Sequence, residues 1–154
     1  MTRRGAYSAL AVLNLGEHFG EGLRKSREIA EETSVPGYYL KEVLANLVHA
    51  GLVTSVAGSR GGYALSRPPG ELNLLEVIEA ADGRPNRVGC ALCGDDCGWE
   101  GPCPLREAWE RGLDAQIAEL ETTTFADLGA VLRERGVLPP AADPESSEGG
   151  ESPR

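Results

Sequence analysis

Apolar positions in the first fifty residues keep helical time. From about Thr2 to Gly20, Ala6, Leu10 and Leu13 recur three and four apart, the spacing that lines one face of an α-helix, and Gly16, Gly20 and Gly22 close the segment in a turn. Ser26 has the side chain of an N-cap and opens REIAEET, with Ile29 and Ala30 facing inward. SVPG follows, placing Pro36 at or near a helix start, where its missing N–H is no loss. In YYLKEVLANLVHAG, Leu40, Val43, Leu44, Leu47 and Val48 make one stripe and Gly51 supplies the stop. Two helices joined by a turn of about four residues predict a helix-turn-helix.

The pattern then shortens. LVTSVAGSRGGYALSR holds two β-prone runs, Leu52 to Val56 and Gly62 to Ser66, around the Gly-rich turn AGSRG, and so predicts a hairpin. Helix, helix, turn, helix, hairpin is the order of a winged helix, with the hairpin as wing and Arg60 at its tip. After the break at Pro68, Pro69 and Gly70, Asn73 can cap LLEVIEAAD, which ends at Gly83. A long amphipathic helix is expected from near Pro104, PLREAWERGLDAQIAELET, with Leu105, Trp109, Leu113, Ile117 and Leu120 as its stripe. A last helix runs from Thr124 to Arg135 and stops at Gly136. The fold class is therefore mainly α with a small β-hairpin: a winged helix-turn-helix plus a long dimerisation helix. The expected divisions are 1–83 for DNA binding, 84–103 for a cysteine-rich loop, 104–136 for the dimerisation and C-terminal helices, and 137–154 for an acidic tail with the composition of a disordered segment.

Composition narrows the setting. No apolar run approaches the roughly 20 residues of a bilayer span. MTRRGAYSALAVLNLGEHFGEG begins like a signal peptide but has no convincing small-residue cleavage site and passes into charged, helix-compatible sequence. A cytoplasmic protein without a membrane partner is the expectation, and cytoplasmic thiols stay reduced. The net charge is −9. Up to position 67, however, eight Lys and Arg outnumber six Asp and Glu. Contact with nucleic acid belongs in that part of the chain.

All four cysteines fall within fourteen residues, CALCGDDCGWEGPC, spaced C-x2-C-x3-C-x5-C as Cys90, Cys93, Cys97 and Cys103. In a reduced compartment such a cluster points to metal or redox chemistry rather than disulfides. Thiolates are soft ligands for zinc and for iron–sulfur clusters, and glycine permits the tight turns that bring several sulfurs to one centre. Zinc knuckles pair two short CxxC units across a longer gap. Here only the first unit is CxxC, a spacing that suits a loop wrapped around a cluster better, with structural zinc and a thiol switch at Cys90 and Cys93 as alternatives.

Together these stretches resemble the Rrf-type family of bacterial transcription regulators, the group that includes IscR and NsrR. VPGYYLKEVLANLVHAGLVTSVAGSRGGYALSR resembles the family's turn, recognition helix and wing. LNLLEVIEAAD resembles the next helix, and CGWEGPCPLREAW the end of its cysteine loop and the start of its dimerisation helix. The resemblance covers about Arg3 to Gly136. It implies a homodimer that binds a roughly palindromic double-stranded operator and carries a 2Fe–2S or 4Fe–4S cluster as sensor of redox, nitric oxide or iron and cluster status.

The family's three-cysteine pattern fits Cys90, Cys97 and Cys103 best. Its further ligand, a His after the last cysteine or a carboxylate from the first helix, has no match: Arg106 stands in the first place and RRGAYSAL has no acid. Cys93 is then the candidate fourth ligand, or an alternative to Cys90. Trp99, inside the loop, would shield the cluster or pack the loop.

For DNA, the expected contacts are Tyr38 and Lys41 at the start of the recognition helix, Arg24, Lys25 and Arg27 beside the second helix, and Ser59, Arg60 and Gly61 in the wing. Tyr39 is expected to pack inward, Glu28, Glu31 and Glu32 to form a solvated face, and His18 and His49 to be surface or packing residues. The Trp109 stripe is expected to pair with a second chain. No strand–CxxC–helix of the thioredoxin kind, catalytic His–carboxylate set or phosphate-cradling loop argues for an enzyme.

Overall fold

The computed structural model describes residues 2–84, 103 and 105–137. Among the described residues it has six helices and one antiparallel hairpin. Cys90, Cys93, Cys97 and Trp99 lie outside the described residues, as does the tail from residue 138.

Helix α1 spans Arg3–Glu17, and Thr2 caps it by accepting a hydrogen bond from the Gly5 N–H. Its inward face is Gly5, Ser8, Ala11, Val12 and Leu15. Small side chains on that face let neighbouring helices approach closely. The helix stops short of the expected Gly20, with His18 as the C-cap. Gly16 lies inside the helix rather than closing it. A Cβ on Gly16 would meet the Pro69 side chain at 3.4 Å, an ordinary van der Waals contact.

Helix α2 spans Ser26–Thr33, and Lys25, not Ser26, occupies the N-cap position. The Glu28 carboxylate accepts from the Lys25 N–H at 2.8 Å, so an orphan donor of the first turn is satisfied from within the helix. Ser34, at φ +56°, ends α2 in the left-handed region. Helix α3, Gly37–His49, buries Leu40, Val43, Leu44 and Leu47, the expected stripe. Strands β1 (Val53–Val56) and β2 (Gly62–Leu65) pair with Val53 opposite Leu65 and Val56 opposite Gly62. Each is one residue shorter at its base than expected, yet the Ser66 N–H still donates to the Leu52 carbonyl at 3.1 Å.

Helix α4, Leu74–Asp82, has the expected Asn73 cap, reciprocated by Glu76. It packs against α1. Helix α5, Arg106–Thr122, leaves α4 with none of its residues fully buried. Helix α6, Phe125–Glu134, starts from a Thr124–Asp127 capping box and returns to α1. Phe125 enters the core formed by α1, α2 and α3, and Arg133 reaches Glu17 at 2.5 Å. The C-terminal helix thus completes the core of the N-terminal unit rather than standing apart from it.

Candidate nucleic-acid interface

Helix α3 and the wing present the expected groups on open surface. Tyr38 projects from the first turn of α3, 80% exposed. Tyr39 turns inward, edge-on to the Tyr7 ring at 5.3 Å between centroids. One turn along, Lys41 is exposed, and no ion pair holds it among the described residues. Ser59 and Arg60 stand exposed in the turn between β1 and β2, and Arg60 likewise has no ion-pair partner among the described residues.

The wing's turn is tight because two glycines make it so. A Cβ on Gly61 would stand 1.9 Å from the Val56 carbonyl oxygen, and one on Gly62 would stand 2.6 Å from the Arg24 carbonyl oxygen. No side chain fits either place. Gly61 is buried, so it shapes the tip instead of offering surface.

The three cations beside α2 differ from one another. Arg27 is exposed and pairs with Glu31 at 2.8 Å, one turn away. That hydrogen bond, and then the Glu31 charge, raise its pKa. Arg24 is only 18% exposed in its side chain and faces Glu32 at 2.5 Å and Glu28 at 3.9 Å. Its backbone exchanges two 2.8 Å hydrogen bonds with Tyr63 of β2. Lys25 reaches across to the wing, donating from Nζ to the Ser59 carbonyl at 2.5 Å and to the Gly61 carbonyl.

Glu28, Glu31 and Glu32 are thus not a merely solvated face. Glu32 also accepts from Asn14 Nδ2 at 2.6 Å and lies 3.5 Å from His18 Nε2, while His18 Nδ1 meets Glu21 at 2.6 Å. Burial pushes the Glu32 carboxyl upward, but hydrogen bonds from Asn14 and Arg24 and the nearby positive charges outweigh it and hold it below the ordinary carboxylate range. This network ties α1, α2 and the root of the wing together. The i,i+4 spacings Arg24–Glu28 and Arg27–Glu31 signalled part of it; the Asn14 and His18 contacts depend on how α1 and α2 cross. His49 is exposed at the end of α3.

A second feature lies at the opposite end of α1. The Asp82 carboxylate, at the last turn of α4, accepts from the Thr2 N–H at 2.9 Å and from the Thr2 hydroxyl, and Arg4 Nη1 donates to the Ala81 carbonyl at 3.5 Å. Desolvation pushes the Asp82 carboxyl up, yet the Thr2 hydrogen bonds and nearby Arg4 draw it below the ordinary range. The described residues pause at residue 84, just after this contact. Of the cysteine sulfurs only that of Cys103 is described: a free, half-buried thiol beside the start of α5, whose carbonyl accepts from the Arg106 N–H at 3.1 Å. Among the described residues no three His, Cys, Asp or Glu side chains gather to hold a metal, and no helix is long and apolar enough to cross a membrane.

A helix-turn-helix with an exposed α3, a wing with an exposed arginine at its tip, and relatives that are regulators rather than enzymes define a winged-helix, DNA-binding transcription regulator. The Rrf2 family profile, whose description is iron-dependent transcriptional regulator, matches residues 1–130. CymR of Bacillus subtilis is 30% identical over 130 residues, 84% of this chain and 89% of that protein. The Rrf2 protein of Nitratidesulfovibrio vulgaris is 27% identical over 139 residues, 90% of this chain and 91% of that one. The solved structure of B. subtilis CymR, the global cysteine regulator of that organism, superposes with a TM-score of 0.71 at 29% identity, covering 85% of this chain and 96% of its own. IscR of T. potens superposes with a TM-score of 0.70 at 28% identity, covering 88% and 89%. The chain belongs to the Rrf2 family of transcription regulators.

Proposed function

We propose that this regulator acts as a cytoplasmic homodimer whose grip on DNA is set by an iron–sulfur cluster held by Cys90, Cys93, Cys97 and Cys103. The observation that carries the proposal is four thiols in one glycine-rich segment, inserted between α4 and α5. The donor set suits the group: soft sulfurs, with no competing hard ligands required. Such a cluster supplies a centre whose charge changes with redox state.

The chain's own part is to translate the state of that segment into a position of α3. Asp82 ties the point where the segment begins to the N-cap of α1, α1 packs on α3, and Tyr7 meets Tyr39 beside the exposed Tyr38. A difference in the segment's preferred shape then biases the recognition helix, provided the two arrangements differ in free energy. The half-exposed stripe Leu105, Trp109, Leu113, Ile117 and Leu120 is the surface for the second copy. The dimer would set two recognition helices on half-sites of a roughly palindromic operator. Tyr38, Lys41, Arg27, Ser59 and Arg60 make the contacts, with Gly61 shaping the tip, Arg24 bracing β2 and Lys25 bracing the wing turn.

The test compares anaerobically purified protein before and after chelation, on duplexes selected from a random-sequence library. The expected outcome is at least a tenfold change in affinity, about 1.4 kcal/mol of coupling. Equal affinity would overturn the sensor reading. Metal retained in both Cys97→Ala and Cys103→Ala would overturn the ligand assignment.

The likeness to CymR favours a second reading. A CymR from Staphylococcus aureus has also been solved in an oxidized form, at 27% identity and a TM-score of 0.66. In that reading Cys90 and Cys93 form a thiol switch, and the purified protein carries neither iron nor sulfide.

A further inference from the structure

Lys25 occupies an odd place. N-cap positions favour Ser, Thr, Asp or Asn, whose short oxygens satisfy the first-turn N–H groups. Here a long cationic side chain stands at the cap and serves none of them. It crosses instead to the wing and donates to the carbonyls of Ser59 and Gly61, the two residues that flank Arg60. Those carbonyls belong to a turn that makes one internal bond of its own, Gly61 N–H to the Gly58 carbonyl at 3.0 Å. The tip-side half of β2 is fixed separately, by the paired backbone bonds between Arg24 and Tyr63, two residues beyond Gly61. An open cleft of about 640 Å³ lies between the start of α2 and the wing, and among the described residues no hydrogen bond other than those of Lys25 joins Ser59, Arg60 or Gly61 to α2.

We infer that Lys25 is a positioning residue for DNA recognition: its ammonium group clips the wing turn to α2 and so fixes the direction in which Arg60 is presented. This rests on the reading of Arg60 as a DNA contact, but the clip can be tested without DNA. A two-stranded ribbon alone is barely stable, and its tip is its loosest part. Two charge-assisted bonds to successive sides of one residue are stronger than neutral ones and remove much of that freedom. A lysine used in this way has two of its three donors committed before DNA arrives. It therefore contributes to binding mainly through Arg60.

The experiment uses Lys25→Met, which keeps the stem and deletes the donors, in the full-length protein. Backbone 15N relaxation of Ser59, Arg60 and Gly61 in free protein is the direct readout. The order parameters of these three amides are expected to drop in the variant while those of α3 stay unchanged. Unaltered wing order would overturn the clip, whatever the DNA results. The second readout is a double-mutant cycle with Arg60→Ala on one duplex selected from a random library. Arg60→Ala alone is expected to weaken binding roughly five- to 150-fold. In the Lys25→Met background that penalty should shrink to less than about half its logarithm, because the arginine is no longer held in place. Independent, multiplicative losses, each lowering the salt dependence by about one phosphate contact, would show Lys25 to be a separate phosphate ligand and refute the inference.

Discussion

Replacing Gly61 by alanine tests how the wing is built. The new Cβ would fall 1.9 Å from the Val56 carbonyl oxygen and 2.7 Å from its carbon, in a range below 3.0 Å that real Cβ atoms do not occupy. The obstacle is backbone, so the strand must shift by roughly 1 Å or more to restore van der Waals distance. Three bonds depend on the present path: Gly61 N–H to the Gly58 carbonyl, Lys25 to the Gly61 carbonyl, and the closing pairing of Val56 with Gly62. At a net ~0.5–1.5 kcal/mol each, their loss costs about 1.5–4.5 kcal/mol. That is enough to open the tip, and it falls on the wing alone, because the core residues Leu40, Val43, Leu44 and Leu47 lie on α3 and make no use of the turn. Hydrogen exchange by mass spectrometry should therefore show faster exchange in a peptide covering residues 55–63, with α1 and α3 unchanged. Affinity for a selected duplex should fall at least tenfold. Wild-type exchange in that peptide together with wild-type affinity would refute the geometry of the turn and its role.

Further outcomes follow from other parts of the molecule. Phe125→Ala removes the buried side chain through which α6 enters the core, and denaturant unfolding should show a loss of about 3–5 kcal/mol. Trp109→Glu places a charge on the half-exposed stripe of α5, where Trp109 is 53% exposed; sedimentation should show dimers for the wild type and monomers for the variant, with the helical spectrum retained. Acid should destabilise the domain. The Glu32, Asp82 and Asp127 carboxyls are all lowered in the folded protein, so the stability they contribute is present above their unfolded pKa of about 4 and is lost as pH falls through the lower folded values. Urea midpoints should hold steady down to about pH 5 and decline below about pH 4, less steeply in Asp82→Asn; a rise in stability on acidification would contradict the assignment.

Local signals carried most of the fold. The apolar stripe of α3, the Asn73 cap, the helix start near Thr124 and the Gly-rich wing turn each depend on residues within a few positions of one another, so sequence spacing revealed them. Contacts set by how helices cross were not legible. Gly16 reads as a stop by type, but it lies inside α1 with Pro69 packed over it, because a turn far along the chain folds onto it. Ser26 reads as the cap, yet the helix begins at Ser26 itself, with Lys25 at the cap and Glu28 satisfying its N–H. Among the candidate DNA contacts, Tyr38, Lys41 and Arg60 were legible as open surface, since exposure at a helix start or turn tip follows from local pattern. The commitment of Arg24 to Glu32 and of Lys25 to the wing was not, because both partners come from elements whose placement only the assembled fold decides.

The most direct measurement is iron, acid-labile sulfide and zinc determined together on one sample of anaerobically purified protein, with its visible spectrum. Iron and sulfide in comparable amounts, with visible charge-transfer absorption that disappears in Cys97→Ala and Cys103→Ala, is the result the account predicts. Zinc without iron, or protein free of metal, would contradict it and leave a winged-helix regulator whose signal is read by structural metal or by the thiols themselves.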